Sequence, residues 1–131
     1  MSTPDLLLLA DSEVGLIAPC PGGWLIRFSA ALVQQQGSGQ EPGFAAGLEL
    51  RLQSRAAPQV TGAPLGLLQE GDCFWQGQGH TTLPLGARWQ AQDEGGLRLT
   101  LVFANGSHWV LPARSLTLSS AAGPLRESLA C

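Results

Sequence analysis

Lysine and tyrosine are absent from this chain of 131 residues, so all seven basic residues are arginines and the aromatic set is four tryptophans and four phenylalanines. Charge is scarce as well, with Asp, Glu and Arg making up 13% of the chain and a net charge of -3. The arginines are scattered singly, without a basic stripe. That distribution argues against nucleic acid and against an anionic membrane as partners. Abundant Ala, Gly, Leu, Arg and Pro without Lys is the composition of a protein from a GC-rich bacterial genome, an association that carries no function.

Long apolar runs are missing too. The run from Leu6 to Leu9 follows Asp5 rather than a basic region and is too short for a signal sequence or a membrane span. Cys20, Cys73 and Cys131 are widely spaced and form no CxxC or Cys/His zinc pattern. They read as reduced thiols, which implies a cytoplasmic location. The two histidines and the scattered carboxylates match no metal-ligand spacing, so neither metal nor cofactor is expected. Gly77-Gln78-Gly79 is not followed by a helix that could present its N-terminus to phosphate, and no GxSxG elbow exists.

What the sequence does contain is a β pattern. The length suits one domain, 1–131, burying roughly two-thirds of its unfolded surface. Short apolar runs alternate with turn chemistry at 70–72, 77–79, 93–96, 105–106 and 112–113, the rhythm of an antiparallel meander. The fold expected is all-β: an antiparallel β-sandwich or flattened β-barrel of about 8 to 9 strands with a C-terminal meander. Trp24, Ile26, Phe28, Ala30 and Leu32 alternate as the inward set of one strand, and Phe44, Ala46, Leu48, Leu50 and Leu52 as that of its antiparallel partner. Residues 34–43 read as a mobile polar loop and 54–64 as a crossover. A further strand is expected over 82–91. Residues 1–4 and 121–131 read as frayed, with a short helix over 124–130 as the alternative.

The hairpin at 96–111 organises the chain. Leu97, Leu99, Leu101 and Phe103 occupy every second position, and Asn105-Gly106 has the chemistry of a two-residue type I′ turn. Such a turn pairs Phe103 with His108, Val102 with Trp109 and Leu101 with Val110. Val110 then joins the core face and Trp109 stacks beside Val102 on the reverse. Asn105-Gly106-Ser107 also matches a glycosylation sequon, but its residues are accounted for by the turn.

Polar, titratable and aromatic residues mingle at 72–89. A ligand site for a small molecule or carbohydrate would use Trp75, His80 and Arg88, with Trp109 as a second stacking face. A Cys73–His80 couple oriented by Asp72 would be the nucleophile of an enzyme, but no signature of such enzymes surrounds it. The leading expectation is a non-catalytic module that binds a protein partner or forms a homodimer, because apolar residues fall on both faces of its strands.

Overall fold

The computed structural model describes residues 4–37, 39 and 41–120. All regular structure among them is strand: β1 (Leu6–Cys20), β2 (Gly23–Gln34), β3 (Gly43–Ala45), β4 (Leu48–Gln53), β5 (Gln59–Thr61), β6 (Gly66–Trp75), β7 (Gln78–His80), β8 (Thr82–Pro84), β9 (Arg88–Gln90), β10 (Leu97–Phe103), β11 (His108–Ala113) and β12 (Ser115–Ser120). They form one antiparallel sheet in the order β5-β11-β10-β6-β1-β2-β4-β12-β9, with β3 added to β2, β7 to β6 and β8 to β1. The sheet is not closed into a barrel, and of the two expected architectures the sandwich-like one is found. The reading of 121–131 as helix or frayed tail, and of 1–3 as frayed, lies outside the described residues.

Burial explains the folding of this sheet upon itself. Leu7, Leu9, Ile26, Phe28, Leu50, Leu52, Leu116 and Leu118 from β1, β2, β4 and β12 join Leu97, Leu99, Leu101, Phe103, Trp109 and Leu111 from β10 and β11 in one core. Each such side chain contributes roughly 1.5–3 kcal/mol of transfer free energy. Gly71 marks a close approach of β6 to β1, since a Cβ there would lie 2.5 Å from that of Leu9. This is why residues 70–72, expected as a turn, run on as strand.

Among the described residues twelve strands are present where about eight or nine were expected. Gly86, at φ 84°, splits the expected 82–91 strand so that β8 can pair with β1 and β9 with β12. Gly47, at φ 81°, likewise separates β3 from β4, both on β2. The 54–64 crossover holds the short strand β5 on β11. Only Arg114 separates β11 from β12, which leaves the hairpin and pairs with β4 and β9, so the expected C-terminal meander stops at β11.

In β1 the bulge at Asp11, φ 70°, leaves backbone groups that buried Ser12 satisfies: its Oγ donates to Leu8 O at 2.6 Å and accepts from Leu32 N–H at 2.8 Å. A second irregularity shifts the phase of β2, where Glu13 pairs Ala30 and Val14 pairs Phe28, leaving Ser29 as the extra residue. Ile26 and Phe28 face inward as expected, but beyond them Ala31 and Val33 are buried in place of Ala30 and Leu32.

The largest correction concerns the hairpin. Phe103 N–H bonds Ser107 O and Gly106 N–H bonds Phe103 O, so the loop is the three residues 104–106, with Gly106 alone in the left-handed region at φ 87°. This is a type I turn followed by a left-handed glycine. Pairing moves by one residue, setting Leu101 opposite Trp109 and Leu99 opposite Leu111. Trp109 therefore belongs to the core at 1% exposure, and Val110 faces the other way.

Cys73 is a buried free thiol, whereas Cys20 is disulfide-bonded, which overturns the reduced-thiol expectation at that position. Among the described residues no helix is long and apolar enough to cross a membrane.

Candidate functional site

The β6–β7 register sets Cys73 directly opposite His80, so the two are neighbours as the catalytic reading required. Activation is what fails. Cys73 is fully buried, and burial, with a smaller contribution from the Asp72 charge, pushes its thiol from an ordinary 9.0 up to about 12. A thiol held there supplies no thiolate at neutral pH. Asp72, one residue along the strand, points to the opposite face from Cys73 and so does not orient the imidazole.

Two of the four expected ligand-site residues come together. Trp75 stacks on Trp89 with ring centroids 4.5 Å apart and planes 8° from parallel, and His80 lies 4.8 Å from Trp89 and 6.3 Å from Trp75. Trp75 Nε1 donates to Gln90 O at 3.0 Å. The cluster thus ties the β6–β7 hairpin to β9, across a gap that no backbone ladder spans. Arg88 is exposed on β9 and, by strand alternation, projects away from Trp89. Trp109 lies elsewhere, edge-on to Trp24 at 5.8 Å. Trp89 is the member of the cluster that the expected ligand site left out.

The Trp24–Trp109 pair floors a groove of about 470 Å³, walled by Gly15, Leu16 and Ile17 of β1, Val60 of β5, and Ala63, Pro64 and Leu65. The β5–β11 register puts Val60 opposite Trp109 and therefore on the same face. The 63–65 wall is held by the hairpin loop. Asn105 Nδ2 donates to Ala63 O at 3.0 Å, and Ser107 Oγ accepts from Ala63 N–H at 2.9 Å. The sequon residues thus serve as a clamp. Gly62, at φ 74°, lets the chain pass Ser107, whose Oγ a Cβ would approach to 2.5 Å.

No family model, curated protein or solved structure matches this chain. The site's chemistry therefore rests on its own geometry. None of the groove's lining side chains is charged or carries a hydroxyl. Those side chains supply no acid, base or nucleophile, and the surface they offer is mostly apolar.

Among the described residues, three of the five exposed large hydrophobic side chains line it: Leu16 at 36%, Val60 at 50% and Leu65 at 52%. Val60 also presents backbone. Phe103 and Ser107 form a hydrogen-bonded pair, so by alternation Trp109 bonds toward β10, while His108 and Val110 bond toward β5. Gln59 and Thr61 accordingly face β11, and the Val60 N–H and C=O point to the open edge of the sheet. The groove escaped sequence reading because its floor and walls together come from four separate stretches of chain.

Proposed function

We propose that this chain is a non-catalytic, self-associating module whose interface is the Val60 edge and the groove beside it. The observation that carries this reading is the convergence of Leu16, Val60 and Leu65 on an uncharged groove next to an unpaired strand edge. Exposed apolar surface grouped in this way marks an interaction site. A two-fold axis beside Val60 pairs two β5 strands antiparallel, and each Val60 then exchanges N–H and C=O with its counterpart. Pro58 and left-handed Gly62 stop the ladder on either side, so the pairing closes at two copies rather than growing into a fibre. One short ladder and one groove are small beside the roughly 800 Å² per partner of a standard interface, and the affinity expected is micromolar or weaker.

Sedimentation equilibrium from micromolar to about millimolar protein tests the reading. A monomer–dimer equilibrium in that range, abolished by Val60→Lys and by Leu16→Asp, supports it. A monomer throughout, or a dimer indifferent to both changes, overturns it. Binding of a small molecule or sugar at Trp75, His80 and Arg88 has less support, because Trp75 gives its N–H to Gln90 and one ring face to Trp89. A cytoplasmic setting suits the free Cys73 but not the disulfide at Cys20, which favours an oxidising compartment.

A further inference from the structure

Asn105 is the chain's sole asparagine, and the residue after it is Gly106. In this dipeptide the following amide nitrogen reaches the asparagine Cγ with the least obstruction, because glycine has no side chain to crowd the approach. Asn105 and Gly106 are both exposed at the hairpin tip, and a Cβ built on Gly106 would meet nothing within 4 Å. Water and both reacting groups are therefore at hand. The folded loop engages those groups elsewhere. Asn105 Nδ2 donates to Ala63 O at 3.0 Å and to Leu65 O at 3.5 Å, and Asn105 Oδ1 accepts from Ser107 N–H at 2.9 Å. Gly106 N–H donates to Phe103 O at 3.0 Å. The carboxamide is thus fixed at both ends, and the nitrogen that would attack it is fixed as a donor.

We propose that Asn105 is a deamidation site gated by its clamp on residues 63–65, and that its conversion releases that wall of the groove. Hydroxide takes the proton of Gly106 N–H, and the nitrogen attacks Asn105 Cγ. The N–Cγ bond forms, the Cγ–Nδ2 bond breaks, and the leaving nitrogen takes a proton from water to depart as ammonia, which restores the hydroxide. Water then adds to one carbonyl of the cyclic imide. Breaking the N–Cγ bond gives aspartate, and breaking the bond from that nitrogen to the Asn105 main-chain carbonyl gives isoaspartate. No electrons are exchanged, and water is the co-reactant.

Either product replaces the Nδ2 donor with a carboxylate oxygen, which accepts only. The bonds to Ala63 O and Leu65 O are then lost, and the new charge stands toward two carbonyl oxygens. The aspartyl form keeps Oδ1 for Ser107 N–H, so the hairpin retains its loop while losing its hold on 63–65. Ser107 Oγ is left to hold Ala63 N–H. The isoaspartyl form also adds a carbon to the main chain inside the loop. Release of Ala63, Pro64 and Leu65 opens the groove above Trp24 and Trp109, whether or not a second copy occupies it.

Peptide mapping of the full chain, aged at mildly alkaline pH in buffer and in concentrated urea, reads the conversion at 105–106. A native reaction roughly tenfold to hundredfold slower than that in urea is expected, since opening must first break these hydrogen bonds. Equal rates, or no conversion in urea, overturn the gated site. Ser107→Ala removes the other half of the clamp and should speed the native reaction several-fold while leaving the rate in urea unchanged. Acceleration in both conditions, or in neither, shows that the clamp is not the gate. Asn105→Asp carries the aspartyl product in every molecule. Hydrogen exchange at Ala63 N–H should rise about tenfold in that variant, with Phe103 N–H, bonded to Ser107 O, still protected. Unchanged exchange at Ala63, or an equal loss at Phe103, overturns release of the wall.

Discussion

Trp109 and Val110 exchange places between a two-residue and a three-residue hairpin loop, so truncating each in turn measures which loop the chain adopts. Trp109 is 1% exposed and meets Trp24 edge-on at 5.8 Å. Cutting a buried tryptophan to alanine costs about 3–5 kcal/mol, including its edge-to-face partner. The groove beside it admits water and softens the cavity, so Trp109→Ala is placed at about 3–4 kcal/mol. The whole chain is worth roughly 7–20 kcal/mol at about 0.05–0.15 kcal/mol per residue, which makes this a large but survivable loss. Val110 faces outward and is half-buried, and Val110→Ala should cost under about 1 kcal/mol. Urea titration followed by far-ultraviolet circular dichroism separates the two. Trp109→Ala should lower the midpoint by about 2 M at unchanged slope, and Val110→Ala by less than about 0.5 M. Equal losses, or the larger loss at Val110, would refute the register and with it the floor of the groove.

Two further outcomes follow from buried chemistry. Cys73 keeps its proton in the folded state up to about pH 12 while the unfolded chain loses it near 9.0. Its contribution is fully present below pH 9 and is lost as pH rises toward 12, by at most about 4 kcal/mol. Alkaline unfolding curves of Cys73→Ala should lack this component, and a wild-type curve parallel to that of the variant would show the thiol is not shielded. Gly23→Ala places a Cβ 1.8 Å from Leu52 O, a backbone atom that cannot move aside, so β2 and β4 must part at a cost above about 3 kcal/mol. A thermal melt within a degree or two of wild type would contradict that close approach.

Period-two alternation made the all-β class, the inward leucine row of β10 and the pairing of β2 with the 43–53 stretch legible from residues alone. Other features depended on partners distant in sequence. Asn105-Gly106 suits a type I′ turn locally, but Asn105 also bonds Ala63 O and, through Oδ1, Ser107 N–H, and the loop that permits both is the longer one. Glu70-Gly71-Asp72 has turn composition, yet Gly71 is needed where β6 crosses Leu9. The strand at 82–91 divides because its two ends pair with strands separated along the sheet, which local pattern does not encode. Of the ligand-site residues, Trp75 and His80 meet because β6 and β7 are adjacent in sequence. Trp109 was assigned to a ligand face through the same one-residue register that misplaced Val110.

The position of β12 has a consequence for how the chain reaches this state. It is the last described strand in sequence but an interior strand of the sheet, held between β4 and β9. Until residues 115–120 emerge, β4 and β9 each lack a neighbour, and Leu116 and Leu118 are missing from the core. A chain made from its N-terminus thus carries an open β4 edge through most of its synthesis, followed by a long-range pairing step. Folding is expected in the slow, millisecond-to-second regime of non-local β topologies, with aggregation competing before that step.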